Sequence, residues 1–137
     1  MRKFLPLVAA LALLAGAGQS HAQTSCRAGQ TAGAVAELLF GRNIGGRLGV
    51  TEAKWAAFLA AEVTPRFPDG LTITDAYGQW RDRASNRIAR ERSKVVMIVL
   101  PGQATDDERL AQIIAAYKSR FRQQSVGLIV RPACVSF

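Results

Sequence analysis

Hydrophobic residues in the first segment after residue 30 form one short continuous run. Val35, Leu38, Leu39 and Phe40 lie close together within residues 34–42, and a glycine-rich turn follows. A short apolar run closed by a turn predicts a buried strand, with a helix as the competing interpretation.

The next segment has the period of a helix. Thr51 is a favourable N-cap and Glu52 stands in the first turn, where an acidic side chain suits the helix dipole. Trp55, Phe58 and Leu59 follow at helical spacing, so we expect an amphipathic helix with Trp55 in the core. Two prolines after it are expected to end the helix.

Two strands are predicted in the middle of the chain. Residues 71–80 begin with alternating, β-branched positions, and residues 94–100 form the most apolar run in the domain. The polar residues 82–86 between them are typical of a hairpin tip. Pro101 and Gly102 then mark a turn.

The last third of the chain predicts a helix and a strand. Thr105 and Glu108 have the spacing of a capping box. One helical face then carries the apolar residues Leu110, Ile113, Ile114, Tyr117 and Phe121. Residues 125–130 are predicted to form the final strand.

The predicted order is β-α-β-β-α-β, which is the ferredoxin-like arrangement of the α+β class. It implies a four-stranded antiparallel sheet with two helices on one face. Its first and third strands are central, and these are the two most apolar segments here, as central strands should be.

The third strand is apolar on both of its faces. One alternating set is Val95, Met97 and Val99, and the other is Val96, Ile98 and Leu100. Since two helices cover only one face of such a sheet, something must cover the other. We expect either a second copy of the chain, packed sheet to sheet as a homodimer, or cover by loops and termini.

The first 22 residues predict a cleavable signal peptide. A positive start, an apolar run too short to span a bilayer and small residues before the cut are typical of secretory signals. Residues 23–137 would then form one domain, periplasmic or secreted, with no membrane span. Loss of Arg2 and Lys3 lowers the formal charge from +8 to +6, and the only histidine, His21, leaves as well.

Cys26 and Cys134 lie near the two ends of the predicted domain. An even pair of cysteines in a small exported domain predicts a disulfide, and two free thiols are the less favoured alternative. With no histidine, a serine or cysteine triad is excluded, as are histidine-bearing zinc sites. We therefore expect no metal, no cofactor and no catalytic residue, although an enzyme that uses arginine, aspartate and tyrosine stays an alternative.

Polar residues around the first three strands are the candidate ligand site. Arginine binds carboxylates and phosphates through its planar donor geometry, so the group predicts a site for a small anion. The alternative is that Arg66 and Arg81 pair with Asp69 and Asp75 to fix the loop. The candidate residues are Arg42, Arg66, Asp69, Asp75, Tyr77, Gln79, Trp80, Arg81 and Lys94.

Residues 81–92, the basic arm, are rich in arginine. Besides Arg81 they contain Arg83, Arg87, Arg90 and Arg92, against Asp82 and Glu91. Such an arm could bind an anionic polymer or membrane surface, and nucleic acid is not expected in an exported protein. A solvated hairpin tip is the competing interpretation.

Several stretches together resemble a known family. They are residues 39–42, 63–75, 78–81, 93–95 and 132–137, and the run from Thr64 to Gly70 is the most specific. They are similar to bacterial secreted proteins grouped as domain of unknown function 3574. The resemblance implies a small exported domain and brings no activity, ligand or catalytic residue.

Three functional hypotheses follow. The first is a non-catalytic exported domain that binds an anionic small ligand or a protein partner. The second is the histidine-independent envelope enzyme. The third is a structural envelope protein that binds an anionic surface through its basic arm. A concave pocket that unites Arg42, Arg66, Asp75 and Trp80 would favour the first two, and an exposed arm without such a pocket would favour the third.

Overall fold

A computed structural model describes residues 25–82 and 85–137 of the chain. The predicted signal peptide and Arg83 lie outside these residues. The main elements, in chain order, are β1 (Thr31–Gly41), α1 (Glu52–Phe58), β2 (Thr72–Arg81), β3 (Ile88–Leu100), α2 (Asp106–Phe121) and β4 (Gly127–Val135). A small hairpin of two-residue strands, Asn43–Ile44 and Arg47–Leu48, lies between β1 and α1.

The four main strands form one antiparallel sheet in the order β2-β3-β1-β4. In β1, Leu38 lies opposite Val96 of β3 on one side and Leu128 of β4 on the other. The predicted ferredoxin-like fold is therefore confirmed, with the first and third strands central. The strands are longer than predicted, because β1 begins three residues earlier and β4 continues to Val135.

The core lies between the sheet and the two helices. Ala36, Leu38 and Phe40 of β1, with Val96 and Ile98 of β3, are buried on this face. An aromatic cluster packs on them, and most of its ring pairs are tilted or edge-to-face, which adds about 0.5–1.5 kcal/mol per pair beyond area burial. Its members are Phe40, Trp55, Phe58, Tyr117 and Phe121.

The two helices begin in different ways. The Thr51 hydroxyl accepts a hydrogen bond from the Lys54 amide at 3.3 Å, as predicted. The capping box at Thr105 was wrong, because the Thr105 side chain makes no capping hydrogen bond. Asp106 instead accepts two backbone N–H groups of the preceding turn, both at 2.9 Å. A further difference is that α1 continues as a π-helical turn, Leu59–Val63, which its sequence does not signal.

Strands β2 and β3 continue beyond the end of β1. Pairing between β1 and β3 stops at Gly41 and Ser93, whereas β2 and β3 stay paired as far as Arg81 and Ile88. Residues 77–81 and 88–92 thus form a two-stranded extension, which we call the ribbon. The competing interpretation of residues 81–92 as a solvated hairpin tip is corrected accordingly, because residues 88–92 belong to β3.

The side of the sheet away from the helices, the open face, is apolar and exposed. Leu39 is 40% exposed, Met97 is 37% and Ile129 is 46%, and their strand neighbours Val95 and Val99 are half-buried. In the part of the chain that is described, both helices pack on the opposite side. The two helices thus cover only one face, as expected, and no loop among the described residues encloses these side chains.

A disulfide joins Cys26 to Cys134, with the two Cα atoms 5.5 Å apart. Cys134 lies in β4 opposite Ala32 of β1. The bond therefore fastens the segment before β1 to the last strand, at the end of the sheet opposite the ribbon.

Removing this disulfide should destabilise the domain strongly. The two cysteines are 108 residues apart, and a loop of that length contributes up to about 4–5 kcal/mol in the chain-entropy model. The paired change Cys26→Ser and Cys134→Ser should lower the free energy of unfolding, measured by urea denaturation, by about 3–5 kcal/mol. A loss below about 1 kcal/mol would contradict this estimate.

Candidate functional site

Two cations enclosed by the protein meet two carboxylates at its surface. The side chains of Arg42 and Lys94 are 3% and 7% exposed, whereas those of Glu52 and Asp75 are 67% and 77% exposed. Lys94 Nζ lies 3.0 Å from Glu52 Oε2 and 2.5 Å from Asp75 Oδ1, and Arg42 Nη1 lies 2.5 Å from Glu52 Oε1. Arg42 Nε also donates to the carbonyl oxygen of Val50 at 2.8 Å.

Four segments of the chain bring this ion cluster together. Asp75 and Lys94 are direct cross-strand partners of β2 and β3. Arg42 follows the last residue of β1, and Glu52 is the first residue of α1. The carboxylate of Glu52 is therefore well placed, both for the two cations and for the positive end of the helix dipole.

The cluster shifts the pKa values of its members. The hydrogen bond from Lys94 holds the pKa of Asp75 below its ordinary value, and hydrogen bonds from Lys94 and Arg42 do the same for Glu52. Burial by itself would lower the pKa of Lys94. Its hydrogen bonds to Asp75 and Glu52 outweigh that effect, so the pKa of Lys94 is raised. Asp75, Glu52 and Lys94 are thus charged at neutral pH.

The charges of the ion cluster cancel within the protein. Two cations face two carboxylates, so a small anion would have to displace Glu52 or Asp75 to reach Arg42 or Lys94. Such pairing ties β2 and β3 to the start of α1. The alternative to a ligand site was that the charged residues pair with one another inside the protein. Such pairing is found here, but Asp75 pairs with Lys94 and not with an arginine.

Arg66 and Asp69 lie elsewhere. Arg66 pairs with Glu62 at 2.9 Å and donates to Gln112 at 3.1 Å, so its predicted pairing with Asp69 was wrong. Both residues line a cavity of about 430 Å³ together with Pro101. Because Pro101 follows the end of β3, this cavity lies at the opposite end of the sheet from the ribbon.

One side of the ribbon is cationic. Tyr77 lies opposite Arg92 and Arg81 opposite Ile88, with Arg90 between them on the same side. This cationic face, Tyr77, Arg81, Ile88, Arg90 and Arg92, is exposed throughout. The predicted pairing of Arg81 with Asp75 was also wrong, since Arg81 instead donates to Asn86 at 3.3 Å.

The other side of the ribbon borders a cleft on the open face. Trp80 Nε1 donates to Glu91 Oε1 at 2.8 Å, and the backbone N–H of Asn43 donates to Glu91 Oε2 at 3.0 Å. A Cβ atom on Gly41 would lie 2.5 Å from the Glu91 carboxylate, so a larger residue at position 41 would force Glu91 to move. Trp80 lines this cleft, whose volume is about 570 Å³. Gln79 also borders the cleft, although the register sets it opposite Arg90 on the cationic side of the ribbon.

The structure thus divides the candidate residues among four places. Arg42, Asp75 and Lys94 meet in the ion cluster, Tyr77 and Arg81 lie on the cationic face, and the others line one of the two cavities. The sequence interpretation missed two carboxylates, Glu52 and Glu91. Glu52 was noticed only as a helix-start residue. Glu91 could have been found only from the strand register, which sets it opposite Gly78.

Two structural observations concern metals and membranes. Among residues 25–82 and 85–137, no three side chains of His, Cys, Asp or Glu are grouped so that they could hold a metal ion. None of the helices described there has the length and hydropathy needed to cross a bilayer.

Comparison with known proteins identifies a family and a fold. Residues 35–137 match a family described as a protein of unknown function, DUF3574. None of the curated proteins matches the chain. A phage SAM lyase in complex with S-methyl-5'-thioadenosine is 16% identical with a TM-score of 0.61, over 82% of this chain and 94% of that one.

A second solved structure shares the fold. CutA from Synechococcus elongatus is 18% identical with a TM-score of 0.51, over 78% of this chain and 83% of that one. At these identities the likeness extends to the ferredoxin-like fold alone.

The contribution of the ion cluster to stability should disappear at acid pH. Because the pKa of Asp75 is lowered in the folded protein, its ionised carboxylate contributes fully to stability above the ordinary pKa of 3.8. This contribution is lost as the pH falls through the lowered pKa. The melting temperature of the native protein should therefore exceed that of Asp75→Asn by a constant amount above about pH 5. The difference should shrink towards pH 3, as followed by circular dichroism. A difference that persists unchanged at pH 3 would contradict the assignment.

Proposed function

Because the chain belongs to the DUF3574 family of proteins of unknown function, which assigns no activity, we propose a function from its surface geometry. We propose that it is a non-catalytic binding domain that attaches to anionic lipid surfaces through the cationic face of the ribbon. The observation that carries this proposal is the alignment of Arg81, Arg90 and Arg92 on one exposed side of two paired strands.

These arginines are available for binding. None of the three forms an ion pair within the described part of the chain, whereas the arginines at positions 42, 66 and 131 all do. A guanidinium group binds phosphate oxygens through two parallel hydrogen bonds. The net positive charge of the whole chain adds a long-range attraction to anionic surfaces.

Two further side chains favour a lipid surface over a simple polyanion. Tyr77 is 70% exposed and Ile88 is 47% exposed on the same face as the arginines. An aromatic ring with a polar end and an aliphatic side chain both suit the boundary between headgroups and acyl chains. A soluble polyanion would leave this apolar area in water.

Export of the protein fits this proposal. The signal peptide predicted from residues 1–22 would deliver the domain to the cell envelope or beyond. The Cys26–Cys134 disulfide is typical of oxidising compartments, and no helix described could cross a membrane. Anionic lipid headgroups are present at such envelope surfaces.

Neutralising the cationic face should abolish most binding to anionic vesicles. Each arginine near a charged membrane contributes about 1 kcal/mol, so the triple change Arg81→Ser, Arg90→Ser and Arg92→Ser should weaken binding about a hundredfold. The measurement is co-sedimentation with vesicles of phosphatidylcholine and phosphatidylglycerol, compared with phosphatidylcholine alone. A higher salt concentration should likewise weaken binding of the native protein to the anionic vesicles.

A matched control separates this face from net charge. The exposed residues Arg47, Lys118 and Arg120 lie outside the ribbon, and changing all three to Gln removes the same charge. This control should retain binding within about tenfold. Equal losses in both triple variants would overturn the assignment to the ribbon, as would equal binding of the native protein to neutral vesicles.

We propose separately that the open face packs against a second copy of the chain. A four-stranded face about 20 Å wide and 30 Å long matches the scale of a standard interface, about 800 Å² per partner. Charge supports self-association here, because Glu37 and Arg131 pair at 2.8 Å on this face. Two strongly basic chains can approach each other there without facing unpaired cations.

Light scattering of the purified domain should give the mass of a dimer, with and without reductant. The double change Met97→Glu and Ile129→Glu places like charges on the apolar face and should give a monomer. Leu48→Glu, in the small hairpin, is the control and should leave the dimer intact; Leu48 is 47% exposed. A native monomer at about 100 µM would overturn this proposal, since a standard interface of this size holds at that concentration.

A further inference from the structure

The cleft on the open face has the size and walls of a small-molecule site. Its volume of about 570 Å³ is within the range of ligand pockets. Trp80 and Leu39, each 40% exposed, supply apolar surface, and Ile44 adds to it. Gly78 and Gly127 have no side chains to fill the space above the sheet.

Glu91 gives the cleft an uncompensated negative charge. Both of its oxygens accept hydrogen bonds, but the donors, the Trp80 indole and the Asn43 backbone amide, are neutral. Within the described residues, no lysine or arginine forms an ion pair with Glu91, unlike Glu37, Glu52 and Glu62. The two donors fix the carboxylate in position and leave its charge free for a ligand.

We infer that the cleft binds a small planar cation whose N–H groups meet Glu91 while its ring contacts Trp80 and Leu39. A carboxylate has about four lone-pair sites, so Glu91 can accept further N–H donors beyond the two present. A cation held over the face of the Trp80 ring also gains from the ring quadrupole. Both effects favour a positively charged ring over a neutral or anionic one of the same shape.

The remaining charged groups limit the choice of ligand. Asp82 lines the cleft at its ribbon side, and Arg122 lines it at the end of α2. Arg122 repels a second positive charge that reaches it, so a monocation beside Glu91 is favoured over a dication that extends to Arg122. The expected ligand class is therefore an aromatic or heteroaromatic monocation.

Benzamidine is a suitable probe, because its amidinium group offers parallel N–H donors and its ring is flat. The two tryptophan indole N–H signals in a proton–nitrogen correlation spectrum provide the readout. Trp80 should shift saturably with a Kd of about 1–10 mM, which is expected for a ligand of nine heavy atoms. The signal of Trp55, which is buried in the core, should stay in place. Benzamide, neutral, and benzoate, anionic, should bind at least tenfold more weakly.

Two variants test the assignment. Glu91→Gln keeps the shape and one acceptor oxygen, so it can keep the hydrogen bond from Trp80 or from Asn43 but not both, and it removes the charge. It should weaken benzamidine binding about tenfold or more. Gly78→Val adds a bulky side chain to the cleft beside Glu91, its cross-strand partner, and should abolish binding while the carboxylate is kept. Asp107→Asn, an exposed site on α2, makes the same charge change elsewhere and should have no effect. Thermal unfolding of each variant confirms that it is folded.

Three results would overturn the inference. The first is that Glu91→Gln binds benzamidine as tightly as the native protein does. The second is that the native protein binds benzoate as tightly as benzamidine. The third is that the Trp80 signal shows no saturable shift at benzamidine concentrations up to about ten times the expected Kd. The vesicle assay is independent, because Glu91 and Gly78 lie on the side of the ribbon opposite its arginines. Both cleft variants should therefore bind anionic vesicles like the native protein.

Discussion

The departure of β1 from the sheet at Gly41 determines the shape of everything beyond it. The Glu91 carboxylate occupies the space beside Gly41 and accepts the backbone N–H of Asn43, at the point where the regular β1–β3 pairing ends. Arg42 turns inward towards Val50 and Glu52. Strands β2 and β3 then continue without a third strand beside them, and both of their faces become surface.

That geometry separates the charges of one sequence stretch into two chemically different faces. Strand alternation sends Arg90 and Arg92 to one side and Glu91 to the other. In the linear sequence the three residues form a mixed-charge run. In the ribbon they become a cationic surface and an isolated carboxylate, and these suit different ligands.

The ion cluster gives the ribbon a firm base. Lys94 lies where the ribbon joins the sheet, and through Glu52 and Asp75 it connects β3 to α1 and β2. The two enclosed cations have carboxylate partners that are exposed at the surface. These partners offset the cost of removing the cations from water, and the carboxylates themselves stay hydrated. The aromatic cluster supports the same region, since the Tyr117 hydroxyl donates to the carbonyl oxygen of Gly41 at 2.8 Å.

The fold could be predicted because its signals are local. Apolar runs such as 94–100 and the Thr51 cap each specify an element without reference to the rest of the chain. The π-helical turn after Phe58 and the Asp106 cap escaped prediction, since each depends on neighbours that the pattern does not show. The sites depend on strand register, which the hydrophobic pattern does not give. Residues 88–92 are polar and carry no strand signal, so the sequence did not predict their pairing with β2.

Residues near the two ends of the domain, Cys26 and Cys134, are joined covalently at one corner. A pulling force applied through both ends would therefore pass through the sulfur–sulfur bond and leave the strands unloaded. Tension between that corner and the ribbon would run along the strands instead. It would then load the β1–β3 hydrogen bonds in shear, the direction in which many of them resist together.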